Sequence, residues 1–421
     1  MPRQISAPRG TRDLLPEDAP AWDLVESVAR DLSRRYAFER IEIPLFERVE
    51  LFSRGLGESS DAVEKEMFRV SGARGSDEER AEWALRPEPT AGIVRAFIEH
   101  GMHVRPGPLR LTMTGPMFRY DRPQAGRYRQ FTQWDVEVLG DQGPAVDAEL
   151  IELGQRFYAE LGLTDVVAHV NSIGDPVCRP VYRQALVDYF SVHLDRLTDD
   201  SRRRLEVNPL RVLDDKDLAE DLVDGAPRSA DHLCDECRAH FREVLNLLDA
   251  LGVRYMVDHR LVRGLDYYTR TAFEFAIAGR EGQQQALGGG GRYDGLVELL
   301  GGRPTAGIGF GLGLDRTVLA MQEQNVVTPA REPLVAVLGT GDDHADRLRV
   351  AAVLREAGVA VRPDGSVRKL GKQLESAAKA GARWAVIIGE EETVALKDLA
   401  SGEQQSVQVE RLASLVRDSS G

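Results

Sequence analysis

A chain of 421 residues with 42% hydrophobic and 29% charged residues has the make-up of a globular protein of two or three domains. No apolar run approaches the ~20 residues that span a bilayer, and the formal net charge of -14 argues against nonspecific coating of nucleic acid, which depends on neutralising many phosphates. The opening "MPRQISAPRGTRDLLPED" has no apolar signal core and the three cysteines are too few for a disulfide scaffold, so a cytoplasmic protein without a membrane partner is expected.

Residues 20–37 predict an amphipathic helix, with Trp22, Val25, Ala29, Leu32 and Tyr36 recurring at three and four spacing. "FERIEIPLFE" follows with period-two alternation, and Pro44, which cannot donate to a ladder, assigns that strand to an edge or interface. "GSDEERAE", residues 75–82, reads as a solvated hairpin tip. Two strands within 109–140 flank the turn "FRYDRPQAGRYRQF", which concentrates Arg119, Arg122, Arg127 and Arg129 in an acidic protein. The returning strand puts Arg129, Phe131, Gln133, Asp135 and Glu137 on one face and Trp134, Val136 and Val138 on the other. A water-facing surface explains one such strand. A second strand of the same kind, "YYTRTAFEFAI" from Tyr267, points instead to the floor of a pocket.

Between them, residues 172–255 are helical and charged. "HLCDECRAH" places His232, Cys234, Cys237 and His240 within nine residues, but ligands from one helix cannot close a tetrahedral shell alone. A solvated helix with no metal on the cysteines is expected. In "GIGFGLGLDR" glycines fall at 307, 309, 311 and 313 of a predicted strand, a spacing that suggests a planar ligand lying flat against it. Neither that segment nor "GSVRKLGKQ" fits a phosphate-binding loop, so a nucleotide would be held by side chains, for which the arginine fork is suited. Arg119, Arg263 and Arg316 come from three distant segments in such settings. Beyond the linker near "NVVTPAREP", strands and helices alternate as a separate α/β domain.

These stretches resemble the class II aminoacyl-tRNA synthetases, and within them the histidyl-tRNA synthetase family. "FERIEIPLFE", "GPMFRYDRPQAGRYRQFTQWDVEVLG" and "GIGFGLGLDR" are similar to the three class motifs, and "LVRGLDYYTRTAFEF" and "LGGGGRYDGL" to signatures of the histidine enzymes. The resemblance implies an α+β fold: an antiparallel sheet flanked by helices, a helical insertion and a C-terminal α/β anticodon-binding domain. It divides the chain into catalytic parts at 1–171 and 256–327, the insertion at 172–255 and the anticodon-binding domain at 333–421. The implied reaction activates L-histidine with ATP, accompanied by Mg2+, then transfers the histidyl group to histidine tRNA; a homodimer is implied as well.

By the same resemblance Arg119, Arg263 and Arg316 are catalytic contacts to the phosphates. Asp121, Arg127 and Phe131 complete the ATP site with Arg119 and Arg316. Glu88, Thr90, Gln133, Glu137, Tyr267 and Tyr268 bind histidine, and Arg122 and Gln124 approach the tRNA acceptor end. Pro89 stands where the family usually has Gly, Thr132 where it often has His, and Asp121 where it has Glu. Two rival readings keep part of the pattern. A synthetase-like regulatory subunit of ATP phosphoribosyltransferase would lack the C-terminal domain and the "RGLDYY" segment, and an AMP-forming ligase for another acceptor would not need Glu137, Tyr268 or the tail. In that tail Arg362, Arg368, Lys369 and Lys372 form either an anticodon-side surface or a solvated loop.

Overall fold

The computed structural model describes residues 5–57, 60–70, 82–215, 217–262, 267–279, 286–328, 334–339, 344–389 and 393–418. The hairpin tip expected at 75–82 therefore falls almost wholly outside the described residues, as does Arg263. The chain forms two compact units, Met1–Thr328 and Pro329–Gly421. Among the described residues no helix is long and apolar enough to cross a membrane.

The first unit opens with helix α1 (Ala19–Arg35), strand β1 (Glu39–Arg40) and strand β2 (Phe46–Arg48), then α2 (Val49–Leu56) and α3 (Asp61–Glu64). Strands β3 (Arg69–Val70) and β4 (Trp83–Leu85) join β2 in a small sheet ordered β2-β4-β3. Next come α4 (Thr90–Glu99), β5 (Leu109–Phe118), β6 (Gln130–Leu139), α5 (Pro144–Glu160) and β7 (Val166–Ser172). Helices α6 (Arg179–Ser191), α7 (Asp199–Val207), α8 (Glu220–Asp224) and α9 (Asp235–Leu251) lead to β8 (Tyr255–Val257), β9 (Thr269–Ile277) and β10 (Ala286–Arg292). Helix α10 (Leu296–Leu299), strand β11 (Gly307–Gly313) and helix α11 (Leu314–Glu323) complete the unit.

The main sheet has eight strands in the order β1-β5-β6-β11-β10-β9-β7-β8, parallel only at its two edge pairs. The expected edge strand is only two residues long, because Pro44 breaks it and the chain crosses to the small sheet at Phe46. Strands β5 and β6 pair from Leu109↔Leu139 to Phe118↔Gln130, which makes 119–129 the hairpin connection.

Alternation sorts the two faces of this sheet. Trp134, Val136 and Val138 of β6, Phe310 of β11 and Phe273 and Phe275 of β9 share one buried cluster with α1, α5 and α11. Trp134 anchors it: its ring lies edge-on to Phe310 at 5.4 Å, and its N–H reaches Ser33 Oγ at 3.1 Å and Thr112 Oγ1 at 3.0 Å. Burying such an aromatic is worth about 1.5–3 kcal/mol, and the paired indole N–H leaves no polar group stranded. The opposite face carries the polar row of β6 and is enclosed by α2, α4 and residues of the helical segment.

The side of α9 expected to face water is buried instead. Cys237, Phe241, Val244 and Leu248 pack inward, and His240 Nε2 lies 2.8 Å from Asp147 Oδ2 on α5. The other Asp147 oxygen accepts from the fully buried Arg292 at 2.6 Å, so this acid joins β10, α5 and α9. Sequence periodicity alone does not show that a long charged helix lies along another helix.

In the second unit, strands β12 (Leu334–Gly339), β13 (Val361–Pro363), β14 (Ala382–Ile388), β15 (Thr393–Asp398) and β16 (Gln404–Gln408) form a sheet ordered β13-β12-β14-β15-β16. Helices α12 (His344–Glu356) and α14 (Val409–Asp418) contribute to the cluster on one face, with Val335 and Val337 beneath. Helix α13 (Leu370–Lys379) covers the other, over Ala336 and Leu338. Strand β12 is apolar at every position because both faces are covered. Arg362, Arg368, Lys369 and Lys372 are all exposed.

Candidate active site

The polar face of β6 carries a buried, hydrogen-bonded cluster whose parts come from several elements. At the start of α4 the Glu88 carboxylate accepts from the backbone N–H groups of Thr90 at 2.8 Å and Ala91 at 3.0 Å, satisfying donors that a helix start leaves open. Thr90 then donates its hydroxyl to Glu137 Oε1 at 2.6 Å, and Tyr293 donates to Glu137 Oε2. Burial pushes the Glu137 carboxyl up to about 8, with the charge of Glu88 adding and the two hydroxyls opposing. Burial likewise raises Glu88, and burial together with the charges of Glu137 and Glu88 holds Asp135 well above the usual carboxylate range.

Strand β11 makes room for these acids. It pairs with β6 through Gly309↔Glu137 and Gly311↔Asp135. A Cβ at Gly309 would lie 1.7 Å from Glu137 Oε2, and one at Gly311 2.5 Å from Asp135 Oδ1. The alternating glycines thus accommodate the side chains of the neighbouring strand.

Tyr267 and Tyr268 form the far wall, with ring centroids 4.6 Å apart and Tyr267 5.8 Å from the ring of Tyr293. They precede β9, which begins at Thr269, so the alternation expected to run from Tyr267 is interrupted. The cause is Arg270, whose φ of 52° is left-handed and whose N–H and carbonyl bond Gly174 and Ile173. Burial raises Tyr267 well above its ordinary value, and the nearby Tyr268, Glu88 and Glu137 raise it further.

Guanidinium groups lie beside the acids. Arg119 donates to Pro87 O at 2.9 Å and sits 5.5 Å from the Phe131 ring centroid. Arg316, at the start of α11, donates to Gly126 O at 3.2 Å and to Ala286 O. Burial, then the positive charges of Arg127 and Arg119, hold Arg316 below its ordinary value. A cluster of mutually repelling cations next to buried acids can take a polyanion and an ammonium side by side.

A family model described as histidyl-tRNA synthetase matches residues 10–317, and one described as an anticodon binding domain matches 332–419. The chain belongs to the histidyl-tRNA synthetase family. The histidine–tRNA ligase of Desulforamulus reducens is 45% identical over 97% of this chain and 98% of its own length. That of Desulforudis audaxviator is 47% identical over 99% and 100%. The apo histidyl-tRNA synthetase of S. aureus superposes with a TM-score of 0.80 at 35% identity, covering 98% of this chain and 100% of that one.

Within this family member, Glu88, Thr90, Glu137, Tyr267 and Tyr268 meet in one pocket, with Gln133 on the same strand face as Glu137. Gln133 Oε1 and Asp135 Oδ2 are buried and, among the described residues, have no hydrogen-bond partner. Asp121 pairs with Arg127 at 3.0 Å, and Arg122 and Gln124 are exposed in the hairpin connection. Arg129, grouped with the hairpin's other arginines, is engaged elsewhere: it lies 3.8 Å over the Tyr120 ring and donates to Arg9 O at 3.1 Å. Sequence reasoning missed Tyr293, although "GGRYDG" contains it; a tyrosine after four glycines gives no sign that it will face an acid on a strand 156 residues away.

Proposed function

We propose that the chain joins L-histidine to the 3′ end of histidine tRNA in two ATP-dependent steps. The observation that carries this reading is the adjacency of a buried group of acids, Glu88, Asp135 and Glu137, to the Arg119 guanidinium, whose charge acts on Glu88 and Asp135 and which with Arg127 also acts on Arg316. Histidine brings an ammonium and an imidazole N–H to the first, and the ATP phosphates meet the second. ATP enters as its Mg2+ complex, so that metal arrives with the substrate.

The residue roles are those that the family resemblance implies. Glu88, Thr90 and Gln133 surround the α-amine, while Glu137 and Tyr268 read the imidazole nitrogens, with Tyr267 closing the wall behind. An imidazole has one donor and one acceptor, and a buried site built to pair both rejects analogues that lack either. In the first step a histidine carboxylate oxygen attacks the α-phosphorus and pyrophosphate leaves. Arg119 and Arg316, joined by Arg263 in the undescribed segment, stabilise the charge that spreads over the phosphoryl oxygens, and Phe131 stacks on adenine beside Asp121. In the second step the terminal ribose 3′-OH of the tRNA attacks the activated carbonyl and AMP leaves. Arg122 and Gln124 meet the acceptor end, and the second unit reads the anticodon.

The working form is a cytoplasmic homodimer in this reading. The part-exposed Leu45 and Phe46 beside Pro44 offer the apolar contact that a partner copy would cover. The regulatory-subunit alternative is not favoured, since relatives named as ligases align over nearly the full length and the tail matches an anticodon-binding model. Charging assays test the proposal. Histidine is expected on the 3′ end of a histidine tRNA carrying its extra 5′ guanosine, with slower charging when that guanosine is absent. A chain that charges no tRNA would overturn the reading, and equal rates on both tRNAs would remove the roles of Arg122 and Gln124.

A further inference from the structure

All three cysteines of the chain converge on one point. The ligand atoms of Asp175, Cys178, Cys234 and Cys237 lie within 4.8 Å of one another, and all four residues are buried or partly buried. The helix that carries "HLCDECRAH" cannot close a metal shell alone. The missing pair arrives from "GDPVC", 56 residues upstream of Cys234, and His240 takes no part because Asp147 holds it.

We propose that Asp175, Cys178, Cys234 and Cys237 bind a zinc-type divalent ion in a closed tetrahedral site. Three thiolates and one carboxylate are a soft donor set with no open position, which suits a structural ion. The spacing is close to what such an ion needs: Asp175 Oδ1 lies 3.5 Å from Cys178 Sγ and 4.0 Å from Cys234 Sγ. Zn–S bonds of ~2.3 Å require tetrahedral edges of about 3.8 Å. The backbone is arranged for the cluster. Cys178 and Cys234 are the N-cap residues of α6 and α9, so both helix starts direct positive dipole ends toward thiolates. The Arg270 guanidinium, 3.5 Å from Asp175 Oδ2, offsets further negative charge. Gly174, at φ +70°, lets the loop fold over the sulfur, since a Cβ there would lie 2.7 Å from Cys178 Sγ.

The position gives the ion a stapling role. The site joins the chain as it leaves β7 to the start of α9, closing the segment that holds α6, α7 and α8. The same loop holds the residues before β9: Arg179 donates to Tyr268 O at 2.5 Å and Arg270 N donates to Gly174 O at 2.7 Å. Removing the ion therefore loosens the Tyr268 wall. This consequence rests on the histidine reading of that wall, whereas the metal site does not.

The test is metal analysis of the untagged full-length protein, purified under reducing conditions and then loaded with Zn2+ or Co2+. About one ion per chain is expected, with a cobalt spectrum showing tetrahedral bands and thiolate-to-metal charge transfer. Cys234→Ser and Cys237→Ser should lose the ion. A protein that takes up neither metal, that holds a Cys234–Cys237 disulfide, or whose Ser variants keep full stoichiometry would overturn the site. If the variants do not fold, the wild-type cobalt spectrum decides, since bands without thiolate charge transfer contradict it. The stapling role has its own readout: the metal-free protein should show a raised KM for histidine with a smaller change in kcat. An unchanged KM with the metal gone would refute the staple and leave the site.

Discussion

Glu137 is held by two hydroxyls and pressed against a strand with no side chain to spare it room. Its pKa has a consequence for stability whose sign is fixed. The folded carboxyl titrates at about 8 against an ordinary 4.5, because burial penalises the charged form. Between those values the folded chain binds more protons than the unfolded one, so this group's contribution to stability falls as pH rises and levels off above about 8. Glu137→Gln removes the titration and leaves hydroxyl partners that can accept as well as donate. The free variant should match the wild type below about pH 4 and exceed it increasingly up to pH 8, by a margin bounded at roughly 5 kcal/mol for the full shift. Denaturant melts at several pH values check this, and a margin that shrinks with rising pH would contradict it. Activation of histidine should fall sharply in the same variant.

At the scale of elements, the hairpin strands were legible because β5 and β6 are neighbours in sequence and alternation sorts their faces. The packing of the β11 glycines against β6 was hidden for a corresponding reason. Their partners at Gln133, Asp135 and Glu137 lie more than 150 residues away, and no local pattern reports which strand will lie alongside. The start of β9 failed at Arg270, where a left-handed residue stops the alternation that Tyr267 and Tyr268 had seemed to begin. Gly309→Ala tests this packing role. Its Cβ would meet a carboxylate and the Val136 carbonyl of the paired strand, so the overlap cannot be relieved by one side chain turning away. A loss of about 1–3 kcal/mol in stability is expected, as for other overpacked sites, together with weaker histidine binding. Calorimetric titration with histidine reads the second effect, and wild-type stability together with wild-type affinity would contradict the packing role.

At the scale of the whole molecule, the two-unit division was visible in the change from the linker to regular strand-helix alternation, while β16 escaped because four of its five residues are polar. The convergence of Asp175 and Cys178 with Cys234 and Cys237 was also hidden, since it is formed by the fold across an insertion. Assembly belongs to this scale: light scattering is expected to give twice the chain mass, and Leu45→Asp with Phe46→Asp to yield monomers with little charging activity. Dimers that survive both changes would place the interface elsewhere. The central claim, that the acidic pocket and the guanidinium cluster together activate histidine, is met most directly by histidine-dependent exchange of pyrophosphate into ATP. The wild-type chain should exchange only when histidine is present, and Arg119→Ala or Arg316→Ala should each lower the rate by about 10²–10³-fold. No histidine-dependent exchange in the wild type, or undiminished exchange in both arginine variants, would contradict the account.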